Sequence, residues 1–194
     1  MTIAAFDFDG TLTTKDTLLV FLKHVFSKRQ LAAGLMRLSL VLTAFKFKLI
    51  SNNIAKQKLF AYFFAGMSID TFNRYAESFK PKINAVINPV ALERLKWHQE
   101  QGHTCVIVSA SVENWIKPWA ADYGVLVAST RIEVIDGKIT GRFLGENCYG
   151  SEKEKRVLEL YPDRAGYQLY AYGDSGGDRA LLAMADFSFY RKFE

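Results

Sequence analysis

Three short apolar segments of this chain each end in a polar loop, and this pattern restricts the fold more than any other feature. Ile3 to Phe6 runs into Asp7-Phe8-Asp9-Gly10-Thr11, Thr104 to Val108 into Ser109-Ala110-Ser111, and Leu169 to Tyr172 into Gly173-Asp174-Ser175-Gly176-Gly177-Asp178. Apolar runs of this length are typical of buried strands. Ligand sites of open parallel sheets lie at the carboxyl ends of the strands. We therefore expect the three loops to meet at one site.

The spacing of Asp7 and Asp9 indicates a cation site. Side chains two residues apart on an extended chain lie on the same face, and two neighbouring carboxylates resist ionising together. Mg²⁺ is the usual protein-bound cation for such oxygen ligands. The alternative is a solvated turn after an edge strand, because Asp-Gly is also common turn chemistry.

Helical and strand-like segments alternate along most of the chain, which predicts an α/β fold with a parallel sheet between helices. Residues 15–80 differ, because their apolar spacing predicts only helices: one through Phe26, then Gln30 to Ile50, Ile54 to Ala65 and Ser68 to Phe79. Asp136-Gly137, within Arg131 to Phe143, predicts a β-hairpin. We therefore expect a core of residues 1–14 and 81–194 and an inserted helical cap of residues 15–80.

The charge is unevenly distributed between these two units. Residues 12–80 contain eleven Lys and Arg but three Asp and Glu, a net charge of +8, whereas the rest of the chain carries −3. A basic surface attracts anions and suits an anionic membrane. We expect no nucleic-acid partner, because no nucleic-acid-binding motif accompanies the charge.

The cellular location is predicted from two kinds of segment that we do not expect in this sequence. We expect no signal peptide, and no uncharged run approaches the ~20 residues of a membrane span. Cys105 and Cys148 are far apart without metal-ligand spacing, which favours reduced, buried thiols. The expected location is the cytoplasm, with peripheral contact at the inner membrane face.

The loops at Asp7, Ser109 and Asp174, with Lys153 between the last two, resemble in their order the motifs of the haloacid dehalogenase (HAD) superfamily. The helical insert after the first motif resembles subfamily IB, the phosphoserine phosphatase-like branch. Cys148-Tyr149-Gly150-Ser151-Glu152-Lys153 and the basic, apolar cap look closest to phosphatidylglycerophosphatase C-like members. The resemblance implies a Rossmann-like core with an inserted all-helical C1-type cap, and phosphoryl transfer through an aspartyl-phosphate.

The resemblance also implies roles for single residues. Asp7 is the expected nucleophile, and Asp9 the expected general acid, which also ligates Mg²⁺ through its backbone carbonyl. Asp7, Asp9, Asp174 and Asp178 form the expected metal set, with Asp178 binding directly or through a water.

Four residues are expected to hold the substrate phosphate: Gly10, Ser109, Ala110 and Lys153. Ser109 and Lys153 contribute a hydroxyl and a fixed positive charge, and Gly10 and Ala110 contribute backbone N–H groups. Ser111 is the alternative to Ser109, and Lys155 the alternative to Lys153.

These inferences predict a Mg²⁺-dependent phosphomonoester phosphatase whose substrate is a small-molecule or lipid phosphate ester. Nine Phe and eleven cations in the cap favour an amphipathic or lipid-linked phosphate, and the scarcity of acids after Thr14 disfavours an amino-acid head group. The alternative substrate is a small polar metabolite such as phosphoserine or histidinol phosphate. A non-catalytic anion- or membrane-binding module is a third alternative, and the complete set of motif residues argues against it.

Overall fold

The computed structural model describes residues 1–193, apart from the side chain of Asn52, and within these residues five parallel strands form the central sheet. The strands are β1 (Thr2–Phe6), β2 (Thr104–Val112), β3 (Leu126–Thr130), β6 (Gln168–Gly173) and β7 (Phe187–Tyr190). Their order is β3-β2-β1-β6-β7, and every neighbouring pair is parallel. The carboxyl end of β1 therefore lies between those of β2 and β6, as the three predicted strands required.

Helices cover both faces of the sheet. The helices of the core are α7 (Pro89–Glu100), α8 (Glu113–Ala121), α9 (Ser151–Leu160) and α10 (Arg179–Met184). Ala4 and Phe6 of β1 pack with side chains of α7 and α8, whereas Ile3 and Ala5 pack with side chains of α9 and α10. This two-sided burial explains why the strand reads as an uninterrupted apolar run.

The segment between β1 and α7 is helical, as predicted. Its helices are α1 (Thr17–Val25), α2 (Lys28–Arg37), α3 (Ser39–Lys46), α4 (Asn52–Phe64), α5 (Ile69–Ser78) and α6 (Lys80–Asn84). The prediction of one helix from Gln30 to Ile50 is wrong, because the backbone bends at Leu38 (φ −91°, ψ 5°) between α2 and α3. The apolar spacing continues through Leu38, so the spacing alone does not reveal the bend.

The predicted hairpin is present as β4 (Ile132–Ile135) and β5 (Lys138–Phe143). Asp136 (φ 49°) and Gly137 (φ 71°) both have the left-handed backbone that a tight hairpin turn requires. The N–H of Gly66 donates to the carbonyl of Ile139 at 2.8 Å, and the N–H of Ile139 donates to the carbonyl of Met67 at 2.9 Å. The hairpin is therefore bonded to the segment between α4 and α5. The division into a core and a cap of residues 15–80 stays a prediction.

A cluster of aromatic rings joins the helical segment to the core. Its members are buried: Phe21, Phe60, Phe64, Phe72, Phe79 and Trp115. The ring centroids of Phe21 in α1 and Trp115 in α8 lie 4.7 Å apart. Five of the nine phenylalanines of residues 15–80 are thus buried in one apolar cluster that is continuous with the sheet. Among the helices of residues 1–193, none combines the length and the apolar content that are needed to cross a bilayer.

Candidate active site

The first loop of the site is packed directly against the last. Asp7 follows β1, and its N–H donates to the carbonyl of Tyr172 in β6 at 2.9 Å. Gly10 has φ +87°, and a Cβ at this position would lie 2.6 Å from a carboxylate oxygen of Asp174. The Thr11 hydroxyl is 3.4 Å from carboxylate oxygens of both Asp7 and Asp174. Glycine at position 10 is therefore needed for the turn and for the close approach of Asp174.

Asp7, Asp174 and Asp178 form a carboxylate cluster in which one oxygen of each lies within 4.8 Å of the others. Burial, together with the charges of Asp178 and Asp9, raises the pKa of Asp7 to about 7 against the opposing effect of Lys153. Burial and the charge of Asp178 also raise the pKa of Asp174. Both shifts arise first from burial, and repulsion between the carboxylates adds to it. An all-oxygen donor set with excess negative charge fits Mg²⁺, and the site residues therefore suit the expected cation.

Lys153 lies between two of these carboxylates. Its ammonium is 2.5 Å from an oxygen of Asp7 and 2.5 Å from an oxygen of Asp178, and all three side chains are buried. Burial by itself lowers the pKa of Lys153, but the charges of Asp7 and Asp178 outweigh it and raise that pKa. Lys155, the alternative, has a 64% exposed side chain and faces Glu152 and Glu159 on the surface. The structure thus brings Lys153, and not Lys155, to Asp7.

Asp178 holds the loop that follows β6. Its second oxygen accepts the N–H of Asp174 at 3.2 Å and the N–H and hydroxyl of Ser175 at 2.9 and 2.8 Å. A Cβ at Gly173 would lie 2.5 Å from the Cβ of Asp178. Both carboxylate oxygens of Asp178 therefore already have partners. Direct ligation of a cation by Asp178 and ligation through a water both stay predictions.

Asp9 sits apart from the carboxylate cluster and contacts the cap. One oxygen accepts the N–H and the hydroxyl of Thr17 at 2.7 and 2.5 Å, and the other accepts the hydroxyl of Ser111. Within the described residues its carboxylate is not part of the three-carboxylate group. Ligation by its backbone carbonyl stays a prediction.

Strand β2 carries both candidate serines. The strand continues to Val112, so the predicted end at Val108 is wrong. Ser109 and Ser111 are both buried, and the Ser109 hydroxyl accepts the N–H of Ser111 at 3.0 Å. The hydroxyl of Ser111 donates to Asp9, and the contact of Ser109 with the substrate phosphate stays a prediction.

A cavity of ≈ 360 Å³ lies over Asp7, Asp9 and Lys153 and is lined on its other side by helices α1, α3 and α4. Residues 15–80 contribute six apolar side chains to this lining, namely Leu18, Leu19, Leu42, Phe45, Ala55 and Leu59. Ala110 also lines it.

Two charged residues in this cavity were not predicted as site residues, namely Asp16 and Lys56. The ammonium of Lys56 donates to the carbonyl of Ala110 at 2.7 Å. Burial lowers the pKa of Lys56, and the charges of Asp9 and Asp16 oppose this. In the sequence, Asp16 carried only a helix-cap signal, and Lys56 was one of eleven cations with nothing local to distinguish it. Only the folded chain identifies them, because α4 brings Lys56 to Ala110 of β2 and both residues line one cavity with Asp7 and Asp9.

Comparison with known proteins agrees with this geometry. The model of the family described as haloacid dehalogenase-like hydrolase matches residues 4–183. The chain belongs to the haloacid dehalogenase-like hydrolases. Protein CicA of Caulobacter vibrioides is 36% identical over 200 residues, which cover 98% of this chain and 86% of that protein. A probable phosphatase of Mycobacterium tuberculosis is 30% identical over 205 residues, covering 93% of this chain and 65% of that protein.

Solved structures share the fold of this HAD hydrolase. A protein of unknown function from Bordetella pertussis superposes with a TM-score of 0.81 at 23% identity, covering 94% of this chain and 87% of that one. A phosphoserine phosphatase in apo form gives a TM-score of 0.65 at 20% identity, covering 95% and 82%. The predicted superfamily, the Rossmann-like fold and the assignment to HAD-type phosphatases are confirmed. The individual residue roles are predictions that these likenesses do not test.

Proposed function

We propose that this protein is a Mg²⁺-dependent phosphomonoesterase that works through an aspartyl-phosphate and accepts an amphipathic phosphate. The ≈ 360 Å³ cavity carries the substrate assignment, because its floor at Asp7, Asp9 and Lys153 is charged and six of the eight side chains that residues 15–80 contribute to its lining are apolar. Apolar walls with a few placed polar groups are typical of sites for partly apolar ligands. Cytoplasmic location and contact with an anionic membrane stay predictions.

The chemistry follows from the placement of the chain's own groups. Asp7 attacks phosphorus and takes the phosphoryl group, which splits one difficult step into two. Lys153 neutralises charge on Asp7 and on the phosphoryl oxygens, and Asp178 keeps Lys153 in position. Asp9 donates a proton to the leaving oxygen and later accepts one from the attacking water. Asp7 and Asp174 would hold Mg²⁺, which supplies compensation for the phosphate's negative charge when bound.

The nucleophile assignment is tested by Asp7→Asn. The amide is nearly isosteric with the carboxylate but cannot attack phosphorus, so turnover of p-nitrophenyl phosphate should fall by more than ~10³-fold with the fold retained. The matched control is Asp70→Asn, which makes the same chemical change at an exposed carboxylate in α5. Full turnover by the Asp7→Asn protein would contradict the mechanism.

The substrate assignment is tested with soluble ligands that differ only in an apolar chain. We expect kcat/KM to rise from glycerol phosphate to a short-chain acyl glycerol phosphate used as a monomer in solution. Leu19→Ser should reduce this preference, because Leu19 lines the cavity and is 51% exposed, so its replacement spares the core. Leu160→Ser is the control, since Leu160 is 46% exposed and lies outside the cavity.

A small polar substrate is the second candidate, and one observation favours it. Asp16 and Lys56 line the same cavity, and such a pair of opposite charges matches the ammonium and carboxylate of an amino-acid phosphate. The scarcity of acids in the cap was an argument against this class, and the position of Asp16 weakens that argument. Efficient phosphoserine turnover, lost in Asp16→Asn, with no effect of the acyl chain would establish the polar substrate instead.

A further inference from the structure

Helices α2 and α3 meet at the bend at Leu38, and together they have two different faces. The N–H of Leu38 donates to the carbonyl of Gly34 at 2.9 Å at the end of α2, and the N–H of Leu42 donates to that of Leu38 at 2.9 Å at the start of α3. Leu38 is thus the last flanking residue of one helix and the first of the next. Gly34 and Leu38 are buried and Leu42 lines the cavity, so these residues, four apart, mark the inner face. A Cβ at Gly34 would lie 2.4 Å from the Phe63 ring, which shows how closely this face packs on α4.

The outer face carries three large apolar side chains in full contact with water. Met36, Leu40 and Phe47 are 76%, 83% and 68% exposed. Leu40 and Phe47 are seven residues apart, which places them along one side of α3, and Met36 lies in the last turn of α2; we call these three residues the outer stripe. Exposed single apolar residues are common, but an aligned group marks an interaction surface.

Five exposed cations surround the outer stripe: Lys28, Arg29, Arg37, Lys46 and Lys48. Lys46 and Lys48 adjoin Phe47 in the chain and Arg37 adjoins Met36, so three of the cations directly neighbour the outer stripe. Residues 17–69 contain no Asp or Glu. Across residues 1–193, none of the five cations takes part in an ion pair. Their charge is therefore available to an external anionic partner.

We propose that the outer stripe and its five cations dock the protein on the surface of an anionic lipid bilayer. An apolar stripe flanked by cations is the arrangement by which helices lie in the interface plane, with the stripe at the acyl boundary and the cations among lipid phosphates. A symmetric contact with a second copy would bring the same cations together, which disfavours self-association through this face. The proposal depends on α2 and α3 and not on the phosphatase reaction.

Vesicle co-sedimentation without substrate tests the proposal. We expect binding to vesicles of phosphatidylcholine with phosphatidylglycerol, little binding to phosphatidylcholine alone, and release by added salt, because screening weakens the contact of exposed charges. The triple variant Met36→Ser, Leu40→Ser, Phe47→Ser should lose binding. The control triple variant is Leu126→Ser, Leu144→Ser, Leu160→Ser, at positions between 46% and 49% exposed outside α2 and α3.

Charge reversal tests the second half of the surface. Arg37→Glu and Lys48→Glu should each weaken partitioning into anionic vesicles by about fivefold or more. Lys138→Glu and Lys192→Glu make the same change at exposed lysines outside the surface and should have no such effect. Equal effects of all four variants would show only a general response to net charge and would overturn the proposal.

A labelled protein keeps the test decisive if the triple variant fails to fold. Leu40→Cys can be labelled selectively with a polarity-sensitive dye, because Cys105 and Cys148 are buried. Emission from position 40 should shift to the blue on anionic vesicles, and emission from a Leu160→Cys control should not. No shift, or the same shift at both positions, would refute docking through this face. Concentration-dependent dimerisation that the label blocks, without vesicle binding, would instead assign the face to a second copy.

Discussion

Asp9, which follows the central strand of the core, accepts both the N–H and the hydroxyl of Thr17, the first residue of helix α1. Ser111 donates to the same carboxylate from β2. The indole N–H of Trp115 donates to the Thr17 hydroxyl at 3.3 Å. The proposed proton donor, Asp9, is thus hydrogen-bonded to both α1 and β2. The orientation of its carboxylate therefore depends on the position of Thr17 at the start of α1.

Asp9→Asn should slow hydrolysis most for esters whose leaving oxygen must be protonated as it departs. An alkyl phosphate has a poor leaving group, so its hydrolysis should fall far more than that of p-nitrophenyl phosphate. The measurement is the ratio of kcat/KM for the two esters. A variant that slows both esters equally would remove Asp9 from the role of general acid.

Thr17→Val should show the same signature in weaker form. It removes the hydroxyl but keeps the N–H, so Asp9 loses one hydrogen bond, and alkyl phosphate turnover should fall about tenfold with a smaller effect on the aryl ester. Thr14→Val is the control, since the Thr14 hydroxyl donates to the carbonyl of Val86 rather than to Asp9. Indistinguishable ratios for the two variants would show that Thr17 serves only the fold.

Lys153→Met should destabilise the protein as well as inactivate it. The substitution leaves Asp7 and Asp178 buried without their shared counter-charge, and breaking a buried pair from one side costs about 3–5 kcal/mol. Urea unfolding measures the loss. Lys155→Met, two residues away on the surface, should change the free energy of unfolding by less than about 0.5 kcal/mol. Similar effects at both positions would contradict the buried ion-pair arrangement.

Mg²⁺ affinity should weaken as the pH falls below about 7. Burial raises the pKa of Asp7 to about 7, so below that pH a proton competes with the cation, by up to about tenfold per pH unit. The cation-free protein should respond oppositely: the folded pKa exceeds the unfolded value, so the contribution of Asp7 to stability is lost as pH rises from about 4 through 7. Melting temperatures with and without Mg²⁺ at pH 6 and 8 measure both trends. Asp7→Asn should remove both, and persistence of either trend would exclude Asp7 as its source.

Both thiols should be inert in the folded protein. Burial raises the pKa of Cys105 and of Cys148 to about 12, so almost no thiolate is present at pH 8. A chromogenic disulfide reagent should react slowly with the native protein and rapidly, with two thiols per chain, in urea. Fast reaction of either thiol under native conditions would show that its strand or loop opens.

Patterns along the chain predict much of this fold and the floor of its site. The apolar run before Asp7 and the Asp136-Gly137 turn depend only on neighbouring residues. Strand β1 and the hairpin can therefore be predicted from the sequence alone. Lys56 is different, because α4 brings it to Ala110 across 54 residues, and no local property distinguishes it from other lysines. The extension of β2 to Val112 accompanies its pairing with Thr130 of β3, a distant contact that apolar spacing does not reveal, and the apolar spacing continues unchanged through the bend at Leu38.

The two hydrogen bonds between Ile139 and the turn after α4 determine what would have to be exchanged in a chimaera. Residues 15–80 grafted alone onto a relative's core would leave Gly66 and Met67 without these partners. The graft would also place Ala61 next to the recipient's residue at the position of Gly141. Any side chain there would clash, because a Cβ at position 141 would lie 2.8 Å from the Cβ of Ala61. A transplant that moves residues 132–143 together with the cap keeps both relationships, so the exchangeable unit is discontinuous in sequence.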